Sequence, residues 1–491
     1  MTEQPNILVL MVDQWRGDCL SAAGHPVVKT PYLDRLAARG TRFTHAYSAS
    51  PTCIPARASL HTGMSAASHG RVGYKDLVPW NYEVTLAGEL TRAGYQTQAV
   101  GKMHVYPERT QLGFQNVILH SPTGIVRTAR QQGKDPGLVD DYLPWLRQQL
   151  GRDATYFDHG VDSNSYVARP WDKPEHTHPT NFVATQAADF LRRRDPRKPF
   201  FLFASFNAPH PPYDPPEWAF QQYLNAPMPD PPTGDWQDYY AEFEDPANSS
   251  AGVTQIDETM LRRARAGYYG HITHVDQQIS YLLAELDHYG VAENTYICFI
   301  SDHGEMLGDH HMFRKGYPYE GSARIPMLIS GPGMKPGHVS DEVVELRDIM
   351  PTLLECAGAP TPDQVEGHSL RDITRGGSEP VRAYLHGEHL MFGQSLQWLT
   401  DTHSKYVWMS ATGREQLFDL DHDPHETHNL ATDPAWADTL TTWRARLIQE
   451  LTGREEGFTD GRQLFPGRPV SPCLAHATDP RPPRLTAWLS R

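Results

Sequence analysis

A chain of 491 residues can bury a large core, and its length allows two or three structural units. Its 44 basic and 59 acidic side chains leave a net charge of −15 with no long block of either sign. That balance argues against nucleic acid or an anionic membrane as the main partner, while leaving room for a small anion in a locally cationic pocket. Residues 1–5 are polar, and the apolar run 6–12 is too short for a signal-peptide core or a membrane span. No targeting segment is read, and a cytoplasmic location is expected. The five cysteines (Cys19, Cys53, Cys298, Cys356 and Cys473) are odd in number and scattered, as expected of reduced thiols rather than a disulfide frame.

Residues 6–12 form a continuous apolar run that stops at Asp13, the pattern of a strand buried on both faces. Residues 199–206 repeat it and end near His210; residues 295–301 repeat it again and end in Asp302-His303. Helices are predicted over 31–39, 84–93, 182–194 and 259–289. Strands alternating with helices predict an α/β sandwich around a mostly parallel sheet, with ligands at the carboxyl ends of the strands. Residues 121–180 and 207–256, rich in Pro, Asp, Tyr and Trp, resist a regular reading. They are either specificity loops or surface insertions. After about residue 375 short alternating segments, such as 405–409 and 415–420, predict a small antiparallel sheet closed by a helix over 435–451. The expected units are therefore a catalytic domain over 1–375, a C-terminal subdomain over 376–458 and a Pro/Arg-rich tail over 459–491. The tail is either disordered or an arm that packs on a neighbouring subunit of a homo-oligomer.

The chemistry concentrates around Cys53. Pro55 suits a first helical turn, which places Cys53 just before a helix N-terminus whose free N–H groups favour an anion. Arg57, one turn on, can bring its guanidinium back to the same point. Asp13 with Gln14, and Asp302 with His303, form two close pairs at separate strand ends. Their oxygens suit Ca²⁺ or Mg²⁺, and the imidazole widens the choice toward Mn²⁺.

Cys-x-Pro-x-Arg followed by Leu-x-Thr-Gly, residues 53–63, resembles the signature of the type I, formylglycine-dependent sulfatases of the alkaline-phosphatase-like superfamily. Gly94-Tyr95-x-Thr97-x-x-x-Gly101-Lys102-x-His104 is similar to their second signature, and Leu417-Phe418-Asp419-Leu420 extends the resemblance toward the C-terminus. The resemblance implies that a separate maturation enzyme oxidises Cys53 to formylglycine, whose gem-diol attacks a small sulfate monoester. It also implies one divalent metal, Ca²⁺ first with Mn²⁺ or Mg²⁺ as alternatives, held by Asp13, Gln14, position 53, Asp302 and His303. Asp302 would accept the nucleophile's proton, while Arg57, Lys102 and Lys315 offset the sulfate charge. His210 or Lys315 would protonate the leaving alkoxide, and His104 would break down the covalent intermediate.

Gln14 and His303 depart from the commoner Asp-Asp and Asp-Asn pairs and are similar to those of choline sulfatases and phosphonate monoester hydrolases. A phosphonate monoester or phosphodiester hydrolase is therefore the nearest rival. Lys102 and His104, an element those hydrolases lack, favour sulfate. A non-catalytic anion-binding relative would have lost a nucleophile, ligand or cation, and none is missing. His176 and His178 are expected to face solvent. His310 and His311 either line the pocket or bond within their loop, and Glu320 with Arg324 is expected to brace the Lys315 loop. Trp80, Tyr106, Trp171 and Tyr213 are read as pocket walls or as packing.

Overall fold

Every residue of the first strand, β1 (Asn6–Asp13), is buried. Because side chains alternate across a strand, Leu8, Leu10 and Val12 enter one apolar core and Ile7, Val9 and Met11 enter another. A strand of this kind must lie inside a sheet covered on both faces. The computed structural model describes residues 4–478, and there β1 is joined by β2 (Gly40–Tyr47), β3 (Gln96–Gly101), β4 (Asn116–Leu119), β5 (Phe200–Pro209), β6 (Thr295–Ser301), β7 (Met327–Ser330) and β8 (His338–Glu345). The sheet order is β4-β3-β5-β1-β6-β7-β2-β8, and only β7 runs against its neighbours. Helices Pro31–Arg39, Pro179–Arg193 and Glu258–His288 cover the first core; Cys53–Thr62, Leu86–Arg92 and Ile349–Ala357 cover the second. This is the expected α/β sandwich.

A second sheet, β9 (Leu385–Met391), β10 (Gln394–Thr400), β11 (Ser404–Met409) and β12 (Glu415–Asp419), is wholly antiparallel. Helix Ala437–Leu451 closes one face through Leu440, Trp443, Leu447 and Leu451. The other face packs Leu396, Trp398 and Val407 against Tyr47, Tyr317 and Tyr319. Lys405 is fully buried at this junction and bonds Glu320 at 2.8 Å and Glu426 at 2.7 Å. Glu320 also pairs with Arg324 at 2.7 Å, so the expected brace extends across both sheets. Removing one partner would strand a buried charge, at a cost of about 3–5 kcal/mol.

The stretches that resisted a regular reading contain short helices at Thr123–Gln131, Tyr142–Leu150 and Glu217–Leu224. The described part of the tail folds back on its own chain: Arg71 bridges Cys473, and the Leu474 N–H donates to Gly70 O at 2.8 Å. Residues 479–491, where a tail-mediated contact between subunits was also expected, lie outside the described residues. All five cysteines are free and buried. No described helix is long and apolar enough to cross a membrane.

Candidate active site

Four adjacent strands, β3-β5-β1-β6, run parallel, and their carboxyl ends deliver Lys102, His210, Asp13 with Gln14, and Asp302 with His303 to one rim. Gly101 makes the first delivery geometrically feasible. Its φ is +97°, and a Cβ there would stand 1.9 Å from Ser205 O on β5. Only glycine lets the chain turn so close to its neighbour.

The helix expected to begin after Cys53 begins at Cys53 itself, with Thr52 as N-cap, and all ten of its residues are buried. Gly63, at φ +67°, terminates it in the left-handed conformation. Cys53 Sγ lies 3.2 Å from His303 Nε2, 3.5 Å from Lys102 Nζ and 3.8 Å from Asp13 Oδ1. Arg57, four residues on and wholly buried, bonds Asp302 Oδ2 at 2.9 Å, Ser205 Oγ at 3.0 Å and Lys102 O at 2.6 Å. It also approaches Asp13 at 3.5 Å. Lys102 Nζ bonds Asp13 Oδ2. Burial alone would lower the Lys102 pKa, but Asp13, Cys53 and Asp302 together outweigh it and raise the pKa, keeping the ammonium charged. Asp13 in turn titrates well below the usual range despite burial, because Lys102, His210, His303 and Arg57 surround it.

The other half of the site joins this one through Gln14. Its side-chain oxygen accepts from Lys315 Nζ at 2.5 Å, and Lys315 also reaches His210 Nε2 at 2.8 Å and Asn164 Oδ1 at 3.3 Å. Burial lowers the Lys315 pKa and holds that of His210 well below its ordinary value. Gln14 sits at φ +69°, a conformation in which non-glycine residues are uncommon and frequently functional. His104 stands apart from these contacts. Its Nε2 is 3.4 Å from Asp76 Oδ1, its ring meets Tyr74 edge-on, and it lines a cleft of about 530 Å³ with Ile54, Trp80 and Tyr106.

The donor set fits a divalent cation. Asp13, Cys53, Asp302 and His303 place their ligand atoms within 4.8 Å of one another. His303 Nδ1 donates to Gly304 O at 2.9 Å, which leaves Nε2 with a free lone pair facing that cluster. A second group, His178, Asp214 and His271, has similar spacing, but His178 in it has the opposite tautomer to His303. His178 Nδ1 accepts the Thr180 N–H at 3.1 Å, and His159 Nδ1 accepts the Val161 N–H at 3.1 Å. Their Nε2 atoms therefore carry protons, and that of His159 stands 3.0 Å from Asp214 Oδ2. This cluster anchors the end of the loop that carries His210. His178 is buried as the N-cap of helix Pro179–Arg193, correcting its assignment to solvent.

His310 is also buried and stacks near Trp236, away from the site. Trp80 and Tyr106 line the His104 cleft, Trp171 borders the Asp214 cluster, and Tyr213 packs on Tyr268 while its hydroxyl bonds Glu305 and Gln14. Sequence reasoning missed Ser205, Asn164, Asp76 and Glu305. Only Glu305, two residues beyond His303, stood near a motif.

A nucleophile position ringed by buried cations and a cation-ready ligand cluster, on an alkaline-phosphatase-like sandwich, defines a hydrolase of anionic esters. The sulfatase family model matches residues 5–359, and the model for the C-terminal region of N-sulphoglucosamine sulphohydrolase matches residues 308–453. An arylsulfatase of Clostridium perfringens is 49% identical, over 95% of this chain and 98% of its own length. A choline-sulfatase of Rhizobium meliloti is 32% identical, over 88% and 83%. The phosphonate monoester hydrolase of Agrobacterium radiobacter superposes with a TM-score of 0.74 at 26% identity, covering 91% of this chain and 95% of its own. The chain belongs to the sulfatase family and is a sulfuric ester hydrolase.

Proposed function

We propose that this enzyme hydrolyses aryl sulfate monoesters to a phenol and inorganic sulfate, with Cys53 matured to formylglycine by a separate enzyme. The observation that carries this reading is the setting of Cys53. It occupies the first turn of a buried helix, 3.5 Å from the Lys102 ammonium and 3.2 Å from the His303 lone pair. The 49% identical arylsulfatase supports the aryl class, and five unpaired cysteines support a cytoplasmic location.

Asp13, Gln14, Asp302, His303 and position 53 would hold the metal, Ca²⁺ or alternatively Mn²⁺ or Mg²⁺. When bound there, a divalent cation supplies Lewis-acid stabilisation of anionic oxygens. The protein's own residues do the rest. Two carboxylates, Asp13 and Asp302, lie within reach of the nucleophile's proton. Arg57 pairs with Asp302 and Lys102 with Asp13, and both cations add positive charge where the sulfuryl group binds. Lys315, its acidity raised by burial, protonates the leaving oxygen, and His210 Nε2 holds its ammonium in line. His104, with Asp76 behind it, takes the proton whose loss expels sulfate.

The test is a peptide mass map of enzyme co-produced with a formylglycine-generating enzyme, paired with turnover of 4-nitrophenyl sulfate. Activity should rise with the fraction of position 53 found as aldehyde, and Cys53→Ala should have none. Activity independent of that fraction would refute the reading. Gln14 and His303, with the likeness to a phosphonate monoester hydrolase, support phosphonate monoesters as secondary substrates.

A further inference from the structure

We infer that Glu305, a buried carboxylate outside the ligand set, sets which end of the Gln14 amide faces the metal position. The oxygen and nitrogen of a glutamine amide are nearly equal in size, so only their partners decide the orientation. Gln14 Nε2 donates to Glu305 Oε2, and Gln14 Oε1 is thereby turned toward Lys315 and the site. An ionised carboxylate can only accept, so it selects the NH₂ end of the amide.

The carboxylate is itself held. Glu305 is fully buried, and its Oε1 accepts the N–H groups of Leu307, at 2.9 Å, and Arg314. Its second oxygen faces Gln14 and the Tyr213 hydroxyl, which hydrogen-bonds both side chains. The backbone of Gln14 is pinned as well: its N–H donates to Asp302 Oδ1 at 3.1 Å, and its carbonyl accepts from the Tyr268 hydroxyl at 2.7 Å. The remaining freedom is an amide flip, which Glu305 opposes from the NH₂ end and Lys315 from the oxygen end. The same bond places a negative charge behind a neutral ligand and raises the electron density on its oxygen, as outer partners of metal ligands do.

Glu305→Gln makes a sharp prediction. Its carbonyl would stay with the two backbone N–H groups, so its NH₂ would face Gln14. The Gln14 amide would then set NH₂ against NH₂ or, inverted, NH₂ against the Lys315 ammonium, and its oxygen would no longer be held toward the metal position. In the exchanged pair, Gln14→Glu with Glu305→Gln, residue 14 presents oxygen in either orientation and the net charge is unchanged.

The experiment is calorimetric titration of metal-stripped, full-length protein with Mn²⁺ and, separately, Ca²⁺, alongside the melting temperature of each metal-free protein. Glu305→Gln should bind about 10- to 100-fold more weakly than wild type, with little change in metal-free melting. The exchanged pair should recover most of the affinity. Wild-type affinity in Glu305→Gln, or an exchanged pair as weak as the single variant, overturns the inference. If Glu305→Gln does not fold, the exchanged pair decides alone: tight binding supports the inference and weak binding overturns it. The inference rests on the metal reading above. Wild type that bound neither ion would sink both, whereas unaltered binding by Glu305→Gln sinks this one alone.

Discussion

His210 Nε2 stands 2.8 Å from the Lys315 ammonium, while Nδ1 of the same ring donates to the Pro211 carbonyl at 2.6 Å. The second contact fixes the tautomer: Nδ1 carries the proton and Nε2 must accept from Lys315. In the proposed mechanism Lys315 is therefore the acid of the pair and His210 its positioner. Lys315→Met should lower kcat by about 10²- to 10⁴-fold for an alkyl sulfate, the usual range for loss of a general acid. The loss should shrink for 4-nitrophenyl sulfate, whose leaving group departs without help. Equal losses across a leaving-group series would remove Lys315 from that role.

His104 is assigned the second half of the reaction, and its neighbours Tyr74 and Asp76 lie on a loop separate from the Lys315 side. His104→Ala should release about one equivalent of phenol per matured site in a rapid burst and then nearly stall. A rapid-quench time course reads this directly. A variant slowed without any burst would place His104 in the first step instead.

Asp13 and Asp302 are fully buried carboxylates, balanced within the chain by Arg57 and Lys102. A divalent cation at that point adds favourable charge to the folded state alone. At about a hundred times its Kd, such an ion contributes about 2.7 kcal/mol. Chelation should lower the melting temperature and abolish turnover, and Ca²⁺ or Mn²⁺ should restore both. A melting curve unmoved by chelator and by added ion would count against a resident metal.

Asp276, on helix Glu258–His288, accepts the N–H groups of Leu33 at 2.8 Å and Tyr32 at 3.2 Å, yet burial raises its pKa to about 7. Below the ordinary carboxylate range both folded and unfolded chains are protonated there, and its effect does not change with pH. From that range up to about pH 7 the unfolded chain ionises while the folded chain keeps its proton. Stability then falls by up to about 1.4 kcal/mol per pH unit, and above about pH 7 the loss is constant. Asp276→Asn abolishes this titration, so urea unfolding should show it gaining on wild type between about pH 4 and about pH 7. A constant difference would contradict the assignment.

The ligand pair Gln14 and His303 predicts measurable hydrolysis of an aryl phosphonate monoester, with kcat/KM below that for the aryl sulfate because Lys102 and His104 are retained. A phosphonate preferred over the sulfate would reverse the order of the two readings.

Much of the site was legible because its chemistry needs particular residues at short spacing. Cys53 and Arg57 share one helix face, and Asp302 and His303 end one buried strand; both patterns survive as local sequence. Asn164, Asp76 and Ser205 were not legible. The first two lie in irregular loops without period or signature, and Ser205 is an ordinary strand serine until Arg57 reaches it. His178 was misplaced because the polarity of its neighbours suggests solvent, whereas an N-cap role and the Asp214 carboxylate draw it inside.

The amino-acid sequence by itself determined the strands that must be buried on both faces, a helix start next to Cys53 and the residue types able to bind a sulfate ester and a cation. It did so because hydrophobic period, capping and ligand chemistry are encoded within a few residues. Only the tertiary structure decided that β3, β5, β1 and β6 stand side by side, an order the chain does not follow. It alone gave Gln14 an orientation, since a glutamine amide has none until Glu305 and Lys315, some 300 residues away in sequence, supply an acceptor at one end and a donor at the other.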